Sequence, residues 1–319
     1  MPSATAAFTE EEVTFQGPAG TVAGTLAVPQ SRSRGSVLLI AGSGAGDRNG
    51  DVKKLKLGVY RDLAHAVSAQ GFVSLRYDKP GAGASAGDHF EIGFWDLVET
   101  AAAAAEFLRA RAPGDPVIII GHSEGAVIGP AVNARTPVQG MVLLSGACES
   151  LGTTLERQQE RGAQDLQAMK GFGGVLVRTL RLPDRSRRQS KAAMAKILAS
   201  DRPSIRVSGV KVNAAWLREQ AHYDVRRDLP KVACPTLAIT GSLDLHVLPE
   251  HAEALAQAVS GPAEWYVVPD LTHVLRTTKE PVSAVTLKKL YTRQCKQPVD
   301  EGLLRLVQDW LLAHFPSRA

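Results

Sequence analysis

The first group in this sequence that could do chemistry is a serine set between glycines. Ser123 lies in the pentapeptide 121–125 (Gly-His-Ser-Glu-Gly), directly after the β-branched run 117–120. Such a run predicts a short strand buried on both faces, and the small apolar residues 126–129 predict the start of a helix. A serine at a sharp strand-to-helix turn points its hydroxyl away from the sheet, and the flanking glycines leave room for the turn. We therefore identify Ser123 as the candidate nucleophile.

A second G-x-S-x-G pattern occurs at residues 83–87. It follows a predicted strand but leads into Asp88 and His89 rather than into an apolar helix. The strand–turn–helix context that a nucleophilic serine requires is therefore missing there. We interpret 83–87 as a flexible loop, with Ser85 as the alternative nucleophile.

Two polar segments later in the chain can activate a serine hydroxyl. A serine needs a base to take its proton and a carboxylate to orient that base. Asp244 follows the predicted strand 236–240, and His273 follows the predicted strand 265–268. We expect His273 to accept the proton of Ser123, and Asp244 to fix the tautomer of His273 and stabilise its charged form.

Other polar residues nearby could take these roles or line the pocket. His122 is an alternative base, although inside the turn its side chain is expected to point sideways from the serine. Asp270 is an alternative carboxylate, but three residues before His273 it is expected to cap or turn the loop. The residues assigned to substrate binding are Gly42, His122 and His246.

The glycine-rich segment 42–48 can supply hydrogen-bond donors. Acyl transfer at a serine develops negative charge on the carbonyl oxygen, and preorganised backbone N–H groups stabilise it. We expect these donors to be the amides of Glu124 and Ser43, with Gly44 as the fallback for the second. The segment contains no G-K-[ST] and lacks the third spacing of G-x-G-x-x-G, so no nucleotide cofactor is expected. No metal is expected either, because no His, Cys or Asp cluster has ligand spacing.

Strands alternate with helices on both sides of a long helical stretch. Nearly all the predicted strands are apolar, which indicates an α/β fold with a mostly parallel central sheet covered by helices on both faces. A β-hairpin is predicted near the start of the chain. We assign 1–150 and 231–319 to this core, and 151–230, which shows no strand rhythm, to a helical cap inserted between core strands. A cap so placed covers the carboxyl ends of the strands, where ligands bind in such sheets. The candidate hinge residues of the cap are Gly171, Gly173 and Gly174.

The composition is that of an ordinary soluble globular protein. Of the 319 residues, 44% are apolar and 22% are charged. Three cysteines are too few and too scattered for a disulfide framework or a zinc site, which indicates a reducing compartment. The N-terminal residues have no basic start and no apolar run, and no segment approaches membrane-spanning length. We expect a cytoplasmic protein.

The net charge of +5 is unevenly distributed. Residues 151–230 contain 16 Lys and Arg against 8 Asp and Glu, so this segment is strongly basic while the remainder is weakly acidic. A solvated basic face is the simpler interpretation, and attraction of anionic substrates or surfaces is the alternative. No nucleic acid partner is expected, since the basic segment lacks interleaved aromatic residues and any recognition motif.

Five stretches together resemble the α/β-hydrolase superfamily, in the branch that groups serine aminopeptidases, dienelactone hydrolases and bacterial carboxylesterases. They are LLIAGSGAGDRNG, SLRYDKPGAGAS, IIIGHSEGAV, CPTLAITGSLDLHV and VPDLTHVL. The order Ser123, Asp244, His273 along the chain agrees with this resemblance. The chain departs from the family at 270–273, which usually reads closer to G-x-N-H, and at 41–42, where many relatives carry His-Gly.

The resemblance implies a serine hydrolase with a helical cap and no cofactor. Together with the candidate residues it predicts cleavage of carboxylic esters of small to medium acyl groups through an acyl-enzyme. The expected partner is a small-molecule ester, and the sequence carries no signal for an oligomeric state. The alternatives are a thioesterase or acyltransferase on an anionic carrier, an aminopeptidase, and a non-catalytic binding protein on the same fold. The basic residues that could hold an anionic carrier are Arg178, Arg181, Arg185, Arg187, Arg188 and Lys191.

Overall fold

The computed structural model of the chain describes residues 7–52, 55–171, 179 and 182–317. The strands are β1 (Phe8–Gly17), β2 (Gly20–Pro29), β3 (Ser36–Ile40), β4 (Val73–Tyr77), β5 (Val117–His122), β6 (Gly140–Leu144), β7 (Ser204–Val207), β8 (Val210–Asn213), β9 (Thr236–Gly241) and β10 (Ala263–Val268). The helices are α1 (Val59–Ser68), α2 (Phe94–Arg111), α3 (Glu124–Asn133), α4 (Leu151–Gln167), α5 (Leu182–Leu198), α6 (Ala214–His222), α7 (Glu250–Ala258), α8 (Leu287–Gln294) and α9 (Glu301–His314).

A single eight-stranded sheet carries the core, in the order β1-β2-β4-β3-β5-β6-β9-β10. The strand β2 pairs antiparallel with both β1 and β4, and all the other neighbouring pairs are parallel. The strands β3, β4, β5, β6 and β9 are buried along their whole length, which explains why most of their residues are apolar. The predicted α/β fold with a mostly parallel sheet is therefore confirmed, and β1 and β2 form the predicted hairpin.

Two apolar layers cover the faces of this sheet. Ile119 of β5 packs on one face with residues of α2, α3 and α7. Its neighbours Ile118 and Ile120 pack on the other face with residues of α1 and α9. Because successive strand side chains point to opposite faces, a continuous apolar run is what a sheet covered on both sides requires.

The segment predicted as the cap leaves the sheet after β6 and returns before β9. It contains α4, α5 and α6, but the expectation that it lacks strands is wrong. The strands β7 and β8 form an antiparallel hairpin around Ser208 and Gly209, which have φ of 49° and 84°. Each of these strands has only four residues, which is too short for a clear alternating pattern, so the sequence did not predict β7 and β8. Gly171 adopts a left-handed φ of 73°, whereas Gly173, Gly174, Arg178 and Arg181 lie outside the described residues.

Two further elements differ from what the sequence predicts. The recurrence of Leu55, Val59, Leu63 and Val67 at helical spacing predicts a helix that includes Leu55. In the structure α1 begins only at Val59, after Gly58 with a left-handed φ of 60°. Leu55 instead pairs with Val52 in an isolated bridge. Helix α8, in the long segment after β10, was not predicted, because its sequence is short and mostly polar. Within the described residues, none of the helices combines the length and hydrophobicity needed to cross a membrane.

Candidate active site

Ser123 lies at the turn between β5 and α3. Its φ of 55° and ψ of −115° are unfavourable for a residue with a Cβ atom, so the surrounding structure must hold them. A Cβ atom on Gly125 would lie 2.0 Å from the carbonyl oxygen of Ile40, and one on Gly121 would lie 2.3 Å from that of Gly125. Glycine at 125 therefore lets the turn approach strand β3 this closely, and glycine at 121 lets the first turn of α3 pack against the end of β5.

This close packing makes Gly125→Ala strongly destabilising. We expect the free energy of unfolding to fall by more than about 3 kcal/mol, because Ile40 belongs to the buried strand β3 and cannot move away cheaply. Gly162→Ala in α4 is the matched control, since a Cβ atom there meets no atom within 4 Å and alanine favours the helix by about 1 kcal/mol. Urea unfolding of both variants tests the prediction. Similar stability changes in the two variants would contradict it.

His273 and Asp244 lie in a continuous hydrogen-bonded chain with Ser123. The Oγ atom of Ser123 is 3.0 Å from Nε2 of His273, and Nδ1 of His273 is 2.8 Å from Oδ2 of Asp244. The other carboxylate oxygen of Asp244 accepts the backbone N–H groups of His246 and Val247 at 2.8 and 3.0 Å. Burial alone raises the pKa of the Asp244 carboxyl, but the adjacent His273 and these hydrogen bonds lower it below its usual value. Such an arrangement can move a proton from serine to histidine and stabilise the resulting imidazolium.

The alternative serine and carboxylate are bonded elsewhere. The hydroxyl of Ser85 donates to the carbonyl of Asp78 at 2.7 Å and accepts the N–H of Ala23 at 2.9 Å. Asp270 forms an ion pair with Lys279, whose side chain is exposed. Both groups therefore have structural partners away from Ser123.

His122 lies beneath the site as part of a second hydrogen-bonded chain. The N–H of Gly42 donates to the hydroxyl of Tyr60 at 2.6 Å, and that hydroxyl is 3.0 Å from Nδ1 of His122. The carbonyl of His273 can only accept, so Nε2 of His122 donates to it at 2.9 Å. In a neutral ring Nδ1 is then the acceptor, and the Tyr60 hydroxyl donates to it. Burial and the neighbouring His273 lower the pKa of His122 to about 3, so its ring stays neutral. Its two ring nitrogens are both engaged away from Ser123.

His246 lies beside the candidate base. Its ring centroid is 4.6 Å from that of His273, and its backbone N–H binds Asp244. Burial and the neighbouring His273 lower the pKa of His246 to about 4. His246 is therefore a neutral group in the wall of the site.

These two neutral histidines make the fold sensitive to acid. In the unfolded chain each binds a proton near pH 6.5, whereas in the fold His122 and His246 bind one only near pH 3 and 4. The unfolded state binds more protons below pH 6.5, so stability falls as the pH decreases from 6.5 toward 4, by up to about 1.4 kcal/mol per pH unit for each histidine. We expect His246→Gln to reduce this slope by one proton in urea unfolding across that range. An unchanged slope would contradict the assignment.

Backbone N–H groups of the loop after β3 and of the first turn of α3 border Ser123. A Cβ atom on Gly42 would lie only 3.2 Å from that of Ser123, which places the loop after β3 directly beside the serine. The amides of Ser43, next in this loop, and of Glu124, the first residue of α3, form no hydrogen bond with other described residues. Gly44 follows with a φ of 103° and open space at its Cα atom. Both expected donors are therefore without a hydrogen-bond partner among the described residues.

Three side chains that the sequence analysis missed hold these loops together. The Nζ atom of Lys79 donates to the carbonyl of Gly42 at 2.5 Å and to the carboxylate of Glu124 at 2.6 Å, in a buried ion pair. Trp216 of α6 donates its indole N–H to the other oxygen of that carboxylate. Together with Tyr60, Lys79 and Trp216 fix the two donor segments against each other. The only sequence signal was the position of Lys79 at the end of a predicted strand.

A cavity of about 430 Å³ opens over Ser123. The residues assigned to substrate binding line it, as do Ser43, Gly44, Glu124 and His273. The segment 151–230 contributes Leu151, Thr154, Leu155, Gln158, Trp216, Gln220 and Tyr223 to its walls. Among the described residues there is no group of three or more His, Cys, Asp or Glu that could hold a metal ion.

The family model of serine aminopeptidases, S33, matches residues 55–280. The chain belongs to this family. This S33-family protein is therefore an enzyme of the hydrolase class, and its predicted resemblance to the α/β-hydrolase superfamily is confirmed.

Relatives and solved structures agree with this assignment. The hydrolase is 22% identical to the esterase EstD of Thermotoga maritima over 308 residues, which are 96% of this chain and 68% of that protein. It is 27% identical to the monoglyceride lipase of Mus musculus over 191 residues, which are 59% of this chain and 61% of that protein. Est1E from Butyrivibrio proteoclasticus, solved with ferulic acid, superposes with a TM-score of 0.61 at 14% identity over 96% of this chain and 100% of that one. At that identity the structural match shows a shared fold.

Proposed function

We propose that this hydrolase cleaves carboxylic esters of small to medium acyl groups through an acyl-enzyme on Ser123. The observation that carries the proposal is the unbroken chain of hydrogen bonds from Ser123 through His273 to Asp244 at the cavity. The esterase and lipase names of the relatives in two organisms support the same bond type.

In this mechanism His273 removes the proton of Ser123 as Oγ attacks the ester carbonyl. The amides of Glu124 and Ser43 donate to the oxyanion of the tetrahedral intermediate. His273 then gives the proton to the departing alcohol, and Asp244 stabilises the imidazolium between these steps. Water then attacks the acyl-enzyme with His273 again as the base, which releases the acid and restores the serine.

The carboxylates of the cavity favour an ester over a peptide with a free amino terminus. An aminopeptidase needs a free carboxylate to bind the substrate ammonium group, but those that line this cavity have partners. Glu149 accepts hydrogen bonds from Arg157 at 2.7 Å and Thr154 at 2.8 Å. Asp47 accepts two backbone N–H groups at 2.9 and 3.0 Å, and Glu124 is bound by a lysine and a tryptophan. An ammonium group at Glu124 or Glu149 would have to compete with a cation already bound there. Asp47 is the lining carboxylate whose described partners are backbone N–H groups alone.

The basic surface of the cap gives no specific support to a thioesterase. Arg187 is paired with Glu160 and Asp184, at 2.5 and 3.8 Å. Arg185, Arg187, Arg188 and Lys191 do not line the cavity over Ser123. Arg178 and Arg181 lie outside the described residues. Cytoplasmic location stays a prediction from the sequence.

The test is a comparison of kcat/KM for nitrophenyl esters from acetate to octanoate with that for aminoacyl nitroanilides. We expect the best ester to exceed the best anilide by at least about a hundredfold, since the two glutamates that line the cavity are already paired with Lys79 and Arg157. Preference for the anilides would support the aminopeptidase instead. Turnover of neither class would contradict the esterase proposal.

A further inference from the structure

A second cavity of about 350 Å³ lies beside the one over Ser123. The two cavities share four lining residues, Ser43, Gly44, Glu124 and Trp216. Trp216 therefore stands between them. Unlike the first cavity, the second contacts neither Ser123 nor His273.

The walls of the second cavity suit an apolar group. Its apolar lining residues are Pro80, Ile92, Leu97, Val212 and Leu217. Of its polar groups, Lys79 is bound to Glu124, and the amide of Asn213 donates to the carbonyls of His89 and Ile92 at 2.7 Å. The ring of His89 is half-buried, and burial together with Lys79 lowers its pKa, so it adds no charge at neutral pH. A charged ligand would therefore find no unpaired counter-charge on the described walls.

The positions of the base and of the oxyanion donors decide which half of an ester can enter each cavity. His273 must protonate the departing oxygen, so the alcohol begins its exit beside His273, in the first cavity. The carbonyl oxygen must lie at the amides of Ser43 and Glu124, which border both cavities. A group that passes these donors into the second cavity moves away from His273. That group is the acyl chain.

We propose that the second cavity is the acyl-chain site of this enzyme and the first cavity the site of the leaving alcohol. The preferred substrates are then esters of medium-length apolar acids, bound past Trp216. This assignment rests on the proposed esterase function and adds the orientation of the bound ester, with its acyl chain in the second cavity and its alcohol in the first.

Two matched variants test it. Leu217→Trp on α6 fills the second cavity, and Leu155→Trp on α4 fills the first. The exposed Leu198→Trp on α5 lines neither cavity and is the control for adding an indole to this segment. Circular dichroism of all three verifies folding. The substrates are an acyl series, nitrophenyl acetate to octanoate, and an alcohol series, acetates of ethanol to bulky alcohols.

We expect Leu217→Trp to lower the octanoate-to-acetate ratio of kcat/KM at least about tenfold, by the same factor for nitrophenyl and ethyl octanoate. We expect Leu155→Trp to lower instead the ratio of bulky to small alcohols, and Leu198→Trp to change neither ratio. The reverse pattern, or ratios unchanged in Leu217→Trp, would overturn the acyl-site assignment while leaving the esterase function standing. A wild-type protein that hydrolyses no ester would overturn the esterase function and this assignment with it.

Discussion

Replacing Ser123 by alanine is expected to lower kcat for nitrophenyl ester hydrolysis about a millionfold. In the proposed mechanism the hydroxyl oxygen forms the acyl-enzyme, and this oxygen is 3.0 Å from Nε2 of His273, the proposed base. Without it, only binding and the oxyanion donors remain to assist direct attack by water. Steady-state assays at high enzyme concentration, with the purified variant checked for wild-type contamination, measure the loss.

The matched control is Ser85→Ala, in the second G-x-S-x-G segment. The hydroxyl of Ser85 forms hydrogen bonds with two backbone groups, at 2.7 and 2.9 Å. We therefore expect a small loss of stability and little change in kcat. A greater loss of turnover in Ser85→Ala than in Ser123→Ala would show that Ser85, and not Ser123, is the nucleophile.

Replacing Asp244 by asparagine is expected to lower kcat about ten-thousandfold. The carboxylate accepts a hydrogen bond from the Nδ1–H group of His273, and in the proposed mechanism this bond leaves Nε2 free to receive the proton of Ser123. An asparagine amide can donate to Nδ1 instead, which holds the imidazole in the wrong tautomer. The side chain itself stays in place, because its other oxygen accepts two backbone N–H groups.

Asp270→Asn controls for the removal of a carboxylate from the same loop as the base. Asp270 is paired with Lys279 at the surface, so we expect kcat within about threefold of wild type. The measurement is kcat/KM of Asp244→Asn and Asp270→Asn for the same nitrophenyl ester. A larger loss in Asp270→Asn would show that the orienting carboxylate is Asp270.

The site residues that the sequence identified all stand at the ends of strands. Ser123, Asp244 and His273 follow β5, β9 and β10, which are parallel strands of one sheet. The carboxyl ends of parallel strands meet at one edge, so the strand pattern and the order of the polar segments are enough to bring these three residues together. Gly121 and Gly125, which indicate the sharp turn at Ser123, can likewise be recognised in the sequence alone.

The supporting residues could not be predicted in this way. Tyr60 lies on α1, Lys79 follows β4 and Trp216 lies on α6, so their contacts with the site depend on how distant segments pack. An apolar helical pattern explains Tyr60 as a core residue, and nothing in it indicates a bond to His122. The hairpin β7–β8 was missed because strands of four residues give too little periodicity. Only the packed structure reveals the second cavity, whose lining residues come both from segment 151–230 and from the chain before it.

The most direct test of the central claim is the mass of the protein after brief reaction with a nitrophenyl ester, followed by peptide mapping. The account predicts one acyl group per chain on the peptide that contains Ser123, and no acyl group on Ser123→Ala. An acyl group on another residue, or rapid ester turnover that never passes through an adduct on Ser123 even after acid quenching, would contradict it.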